Sequence, residues 1–368
     1  MISIPEHLRQ VGTYTPGTSA EEIRKQYGLT HVVKLASNEN PFGASSFALD
    51  AARHALEQSH RYGDGGLGLR MALATYHNHP LEGIVVNNGS DAIIHQLMRT
   101  LLLPGETALS SRGGFVSFGI AVRTVGSQPD YVDLGGGYRF DVERLAAAIT
   151  PSTKIIYIPN PNNPTGTYIT TDKLHWLLAR VPDSVVVVLD EAYHEYAVAM
   201  APDTYPQGLY ATHPNVISLR TFSKAYGLAA FRVGYALGNP ELMQWLLKTC
   251  LPFDPNGIGC AAAVAALSDT GHVQKTVACA QRGMNRLLGA LRTSGYTTSE
   301  SITNFVFIDL HDTDRAQQFY MTLLRAGFIS RPLTGFGIPT AVRITLGTDE
   351  QNEQLEEFLT SHTEQFVR

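Results

Sequence analysis

Cysteine is scarce in this chain, with three residues in 368. Cys250, Cys260 and Cys279 lie at intervals that match no zinc or redox pattern, and an odd count argues against a disulfide framework, so a reducing cytoplasm is the expected setting. Long apolar runs are missing too. Val185 to Leu189 is far too short to cross a bilayer, and Met1 to Gln10, carrying Glu6, His7 and Arg9, lacks the apolar segment of a secretory signal. Nor is there a basic excess: 28 Lys and Arg against 33 Asp and Glu leave a formal charge of -5. Without a basic stripe to neutralise a row of phosphates, nucleic acid is excluded as the main partner, although a small anion can still be held locally. Internal repeats and low-complexity tracts are absent as well. What is present, 44% hydrophobic and 17% charged residues, is the balance of a globular chain long enough to build two cores.

From Ile84 to Leu237 short apolar runs alternate with helix-like stretches. Strands are expected at Ile84 to Asn87, Thr107 to Leu109, Gln128 to Val132, Lys154 to Ile158, Val185 to Leu189, Val216 to Leu219 and Val233 to Leu237. Helices are expected at Asp91 to Leu102, Val116 to Val125, Val142 to Ile149 and Thr171 to Leu178. Runs apolar throughout, such as VVVVL, suit strands covered on both faces, which predicts an α/β fold with a large, doubly wound, mostly parallel sheet. Beyond Asn239 come a helix to Thr249, a Pro/Gly/Asn-rich break, one long Ala-rich segment to about Leu291, strands at Phe305 to Leu310 and Val342 to Leu346 around a helix, and a last helix from Glu350 to Phe366. The expected division is therefore an arm with part of a small domain over residues 1–45, a large ligand-binding domain over 46–250, and a smaller α/β domain over 251–368. The entry segment "TYTPGTSAEEIRKQYGL" reads as an arm followed by a short helix, with Thr18 or Ser19 as its N-cap and Glu21 or Glu22 in the first turn.

Ligands collect beyond the carboxyl ends of strands in such a sheet. Asp190 stands at one of these ends, immediately after VVVVL, and Tyr193 follows three residues on. The strand before it ends in "PNPNNPTG", a loop that offers the amide of Asn163. The strand after it leads into "TFSKAYGLAAFR", where Lys224 sits among alanines and leucine, surroundings in which an ammonium group either finds a partner or loses its proton. An amine that can condense with an aldehyde, and a carboxylate that can keep a heteroaromatic nitrogen protonated, are the two roles pyridoxal phosphate requires. Its phosphate needs an anion site as well. "NNGSDAIIHQL" supplies a strand end, a Gly-Ser turn and a helix start, to which Thr221, Ser223 and Arg232 add hydroxyls and a guanidinium.

Three other patterns lead nowhere. "GDGGLG", residues 63–68, matches a dinucleotide fingerprint but follows helix and turn rather than a strand. His77 and His79 have no carboxylate or cysteine at ligand spacing and read as ordinary surface histidines. Asn88-Gly-Ser is a glycosylation acceptor that, without a signal peptide, never meets the machinery. For Lys224 the plain structural alternative is a buried salt bridge with Asp190.

Taken together, "KLASNENPFG" (34–43), "GSD" (89–91), "NPNNPTG" (160–166), "DEAY" (190–193), "FSKAYGLAAFRVGY" (222–235) and "RITLGT" (343–348) resemble fold-type I pyridoxal-phosphate aminotransferases, and within them the histidinol-phosphate aminotransferase branch. The resemblance runs from Tyr14 to Thr348. It implies that Lys224 binds the cofactor aldehyde and later moves the proton, that Asp190 pairs with the ring nitrogen, and that Asn163 and Tyr193 bind the phenolic oxygen. It further implies that Ser90, Asp91, Thr221, Ser223 and Arg232 hold the phosphate and that Phe115 stacks on the ring. Tyr62, in "HRYGD", would reach the phosphate of a second subunit, which makes a homodimer. Arg343 and Arg331 would bind the substrate's anionic end, and Tyr14 and Asn38 would cover it. Gly63, Phe118 and Ala230 depart from the family's usual proline, tyrosine and glycine, though none removes an essential group. The activity implied is exchange between histidinol phosphate and 2-oxoglutarate, giving imidazole acetol phosphate and glutamate. An aromatic amino-acid aminotransferase and a phospho-amino-acid decarboxylase are the alternatives on the same scaffold.

Overall fold

A computed structural model describes residues 2–9, 11–12 and 19–367. Its strands, in chain order, are β1 (Val33–Lys34), β2 (Ile84–Asn87), β3 (Thr107–Ser111), β4 (Gln128–Val132), β5 (Thr153–Pro159), β6 (Val186–Asp190), β7 (Val216–Thr221), β8 (Gly234–Leu237), β9 (Thr297–Thr298), β10 (Phe305–Asp309), β11 (Phe328–Ile329), β12 (Arg331–Pro332) and β13 (Ala341–Thr345). Seven of them form one sheet in the order β2-β8-β7-β6-β5-β3-β4. Neighbours from β7 to β4 run parallel, whereas β8 is antiparallel to both β2 and β7. The reason lies in the connection: a parallel return needs a crossover, normally a helix, but residues 222–233 form only an irregular loop with one short turn of 3₁₀ helix at Ala229–Phe231.

Side chains alternate along the strands, and both faces of the sheet are covered. Val186 and Val188 of β6, with Tyr157 and Ile155 of β5, join a core closed by the helices Ser90–Leu101 and Val116–Thr124. Val187 and Leu189, with Ile156 and Ile158, point the other way into a core closed by the helix Thr171–Leu178. A run of five apolar residues is thus two alternating stripes, each worth burying.

A second sheet, β12-β13-β10-β9, is antiparallel throughout. The helix Thr270–Thr293 packs Val277, Met284, Leu287 and Leu291 against its Phe305, Val306 and Ile344. Strand β1 pairs with β11 in a separate two-stranded sheet, and the Thr345 N–H of β13 donates to the Leu35 carbonyl just past β1, which ties the N-terminal stretch to the four-stranded sheet. The Ala-rich segment expected as one piece is two helices, Gly257–Ser268 and Thr270–Thr293. Asp269 parts them, its carboxylate accepting from the His272 N–H to cap the second. Gly257–Ser268 packs with the helices Ser46–Leu56 and Leu67–His77, at the edge of the seven-stranded sheet. The terminal helix breaks at His362 into Asp349–Ser361 and Thr363–Phe366. Near the N-terminus Ser19 caps Ala20–Tyr27 and Glu22 returns the bond in a capping box. Thr18, the other candidate cap, lies outside the described residues.

Candidate active site

Strands β5, β6 and β7 end side by side, and the loops leaving them wall a cavity of about 130 Å³. Ten of the residues singled out from the sequence line it: Ser90, Asp91, Phe115, Asn163, Asp190, Tyr193, Thr221, Ser223, Lys224 and Arg232. Pro159, Pro161 and Ala192 complete the wall.

One end is built for an anion. Gly89, at φ +89°, turns the chain from β2 into the helix Ser90–Leu101, whose first N–H groups have no intrahelical acceptor. Arg232, itself at φ +53°, folds its guanidinium back over that turn; a β-carbon on Gly89 would meet Arg232 Nη2 at 2.6 Å. Arg232 Nη1 donates to Ser223 Oγ at 3.3 Å, and the Ser223 N–H donates to Thr221 Oγ1 at 3.1 Å. The Asp91 carboxylate accepts from Ser117 Oγ. What Asp91 offers an anion is therefore its N–H at the helix start, not its acid.

Asp190 is 5% exposed, and burial pushes its carboxyl up to about 6. Two donors oppose that rise: Tyr157 Oη donates to Oδ2 at 2.6 Å and the Ala192 N–H to Oδ1 at 3.2 Å. Lys224, three residues past β7, donates from Nζ to the Ser37 carbonyl at 3.2 Å and lies 5.9 Å from the centre of the Tyr193 ring. Burial first and the Arg343 guanidinium second lower its pKa to about 8. Among the described residues no ion pair joins Lys224 to Asp190. The acid that does form a buried bridge is Glu191, whose Oε2 accepts from Arg220 Nε at 2.7 Å. Tyr193 is the last residue before the helix His194–Met200; burial lifts its phenol to about 12, and it accepts from Asn38 Nδ2 at 2.7 Å.

Arg343 on β13 is 4% exposed, donating to the Ala36 carbonyl at 2.6 Å and to Asn163 Oδ1. Directly across the antiparallel pair stands Arg331 of β12, so both guanidiniums leave the same face of the small sheet. Arg331 opens onto a neighbouring cavity of about 590 Å³, shared with Phe115 and with Arg112 and Arg123. Tyr62 does not line its own chain's pocket. It is 82% exposed and stacks on Phe253 at 4.2 Å. Tyr14 lies outside the described residues.

Phe118 is 1% exposed, stacks on Tyr157 at 5.1 Å with the rings 8° from parallel, and also lines the cavity onto which Arg331 opens. One sequence reading is corrected. His77 and His79 are not surface histidines, because His77 Nε2 bonds the Tyr235 hydroxyl at 3.0 Å and His79 Nε2 the Gly238 carbonyl at 2.9 Å. The sequence reading missed Tyr157, although a phenol inside a strand buried on both faces has to find a partner for its hydroxyl.

Comparison with known proteins agrees with this geometry. Residues 30–359 match the family Aminotransferase class I and II. A histidinol-phosphate aminotransferase of Bacillus velezensis is 41% identical over 357 residues, 96% of this chain and 98% of that one. That of Bacillus subtilis is 39% identical over 361 residues, 96% and 97% respectively. The crystal structure of a histidinol-phosphate aminotransferase from Sinorhizobium meliloti, solved with pyridoxal-5'-phosphate, superposes with a TM-score of 0.86 at 28% identity, covering 98% of both chains. With the match to the family spanning most of the chain and the relatives spanning nearly all of it, this protein belongs to the class I and II aminotransferases of fold type I, in their histidinol-phosphate aminotransferase family.

Proposed function

We propose that the protein is a pyridoxal-phosphate-dependent aminotransferase that exchanges an amino group between histidinol phosphate and 2-oxoglutarate, in histidine biosynthesis. The observation that carries this is the single cavity into which an amine, a carboxylate, a phenol, an amide and an anion cradle converge. These residues fit the cofactor: the glycine at 89 leaves room for Arg232 over the helix start, Asp190 is a buried acid held by two donors, and Lys224 is an amine of lowered basicity. When bound, pyridoxal phosphate supplies an aldehyde for the lysine and a ring that accepts the electron pair left at the substrate carbon.

The protein does the rest. Ser90, Thr221, Ser223, Arg232 and the N–H of Asp91 would hold the phosphate. Asp190 would keep the ring nitrogen protonated, Asn163 and Tyr193 would bind the phenolic oxygen, and Phe115 would hold the ring. Lys224, neutral in a useful fraction near pH 8, would take and return the proton at the substrate carbon. Arg343 and Arg331 take the anionic end of the substrate, the carboxylate of glutamate in one half-reaction and the phosphate in the other, while Tyr14 and Asn38 cover it.

Tyr62 is assigned to a second copy's phosphate site, so that the working unit is a homodimer. Its exposure, and the exposed Phe253, Leu67 and Met71, support that reading. We further assign residues 46–250 to a large cofactor-binding domain and 251–368, with the N-terminal 1–45, to a small one, although the helix Gly257–Ser268 packs on the large domain. No helix among the described residues is long and apolar enough to cross a membrane, and the proposed location is the cytoplasm.

The test is steady-state kinetics of the holoenzyme with histidinol phosphate and 2-oxoglutarate, scored by glutamate formed. A higher kcat/KM for phenylalanine would move the assignment to aromatic amino acids, and release of carbon dioxide would move it to decarboxylation.

A further inference from the structure

Asp190 has one contact that no motif announced. In the parallel pair of β5 and β6, Tyr157 stands opposite Val188, so Asp190, two residues on, leaves the sheet on the same face as Tyr157 and diagonal to it. A phenol bridges that diagonal, and Tyr157 Oη reaches Asp190 Oδ2 at 2.6 Å. The tyrosine is wholly buried and cannot swing away. Phe118 lies flat on its ring at 5.1 Å, and the helix Val116–Thr124 that carries Phe118 closes that side of the sheet.

We propose that Tyr157 is a positioning residue for the reaction: clamped by Phe118, it holds the Asp190 carboxylate ionised and aimed at the ring nitrogen of the cofactor. This rests on pyridoxal phosphate occupying the cavity that Asp190 lines. The direction of the bond follows from chemistry, because a carboxylate only accepts and a buried phenol only donates to it. Donation stabilises the charged form, which burial disfavours. The other groups that bear on Asp190 do not replace it. Asp91, from the helix Ser90–Leu101, and the adjacent Glu191 push the acid toward its neutral form, while the Ala192 N–H and the Lys224 ammonium act with the phenol against them. Lys224 and Tyr193 line the same cavity. Without the phenol, Asp190 takes up a proton at a higher pH, and a neutral acid no longer holds the ring nitrogen protonated.

The experiment is Tyr157→Phe in the holoenzyme, which keeps the ring and its stacking and removes one oxygen. A hydrogen bond to a charged group contributes a factor of roughly ten to a hundred, so two changes of that size are expected together. The dissociation constant for pyridoxal phosphate, followed by visible absorbance on dialysis and reconstitution, rises roughly tenfold or more. The acid limb of the kcat/KM profile moves upward by about one pH unit. Phe118→Leu, which loosens the clamp and keeps the phenol, shifts both in the same direction by less, and it stands in if Tyr157→Phe does not fold. An unmoved acid limb overturns the proposal, even if the cofactor binds more weakly, since simple loss of packing would weaken binding without touching the titration. Cofactor absorbance in the unaltered protein is read without substrate, so a wrong substrate assignment leaves this test intact, whereas an unaltered protein that takes up no cofactor refutes the function itself.

Discussion

Lys224 and Asp190 line one cavity, and burial brings the pKa of each toward neutrality from opposite directions. That placement is costly to the fold and useful to the chemistry. Asp190 has an ordinary pKa of 3.8 but titrates near 6 in the folded chain. Between those values the folded state holds the extra proton, so stability falls as the pH rises through that window. The loss is complete above pH 6 and amounts to about 3 kcal/mol at most. Urea unfolding of the cofactor-free Asp190→Asn variant should therefore show a higher midpoint than the parent at pH 8, with the difference closing toward pH 4; equal midpoints at pH 8 would mean that the acid is not strained. In Lys224→Ala the visible band of the bound cofactor should disappear and kcat fall by roughly a thousandfold or more, which stopped-flow absorbance and glutamate formation check independently.

At the level of elements, the loop between β7 and β8 does what a crossover helix could not. It leaves β7 with Lys224 in the cavity and returns antiparallel, so Arg232 comes back beside the start of the helix Ser90–Leu101. The close approach depends on Gly234 of β8, where a β-carbon would fall 2.3 Å from the Ser90 N–H nitrogen and 2.7 Å from the Gly89 carbonyl carbon. Backbone cannot rotate away as a side chain can. Gly234→Ala is expected to weaken pyridoxal phosphate binding about tenfold and to cost roughly 1–3 kcal/mol of stability, measurable by equilibrium dialysis and thermal unfolding. The neighbouring acids of "DEAY" show how sharply a strand end sorts side chains. Asp190 turns to the cavity, while Glu191 forms the buried bridge to Arg220, both partners 6% exposed or less. Glu191→Gln leaves the arginine charged in the interior and should destabilise the chain by about 3–5 kcal/mol, a loss that denaturant titration of the cofactor-free protein would reveal or refute.

For the whole molecule the open matter is assembly. Tyr62 stacks on Phe253 at the surface and does not line its own chain's cavity, while its assigned place is the phosphate site of a second copy. Sedimentation should give a particle of about 80 kDa, twice the 40.1 kDa chain. Mixing Lys224→Ala with Tyr62→Ala chains under conditions of exchange should restore activity, because a hybrid dimer then contains one site with both residues intact. Mixtures no more active than the variants alone would remove Tyr62 from the neighbouring site.

Much of this was legible in the sequence because its causes are local. The VVVVL run, the proline-rich loop after β5 and the Gly-Ser turn before the helix Ser90–Leu101 are set by side-chain period and backbone freedom within a few residues, and they determine which strand ends carry Asp190, Asn163 and Lys224. The ligand chemistry followed from the residue types at those ends. Only the tertiary structure decided the rest, because it concerns residues far apart in the chain. The antiparallel course of β8, the pairing of Arg331 with Arg343, the burial of Phe118 against Tyr157, and the hydrogen bond from Tyr157 to Asp190 all depend on which strands become neighbours and in what register. Strand register places side chains side by side across sequence distances that no local pattern spans.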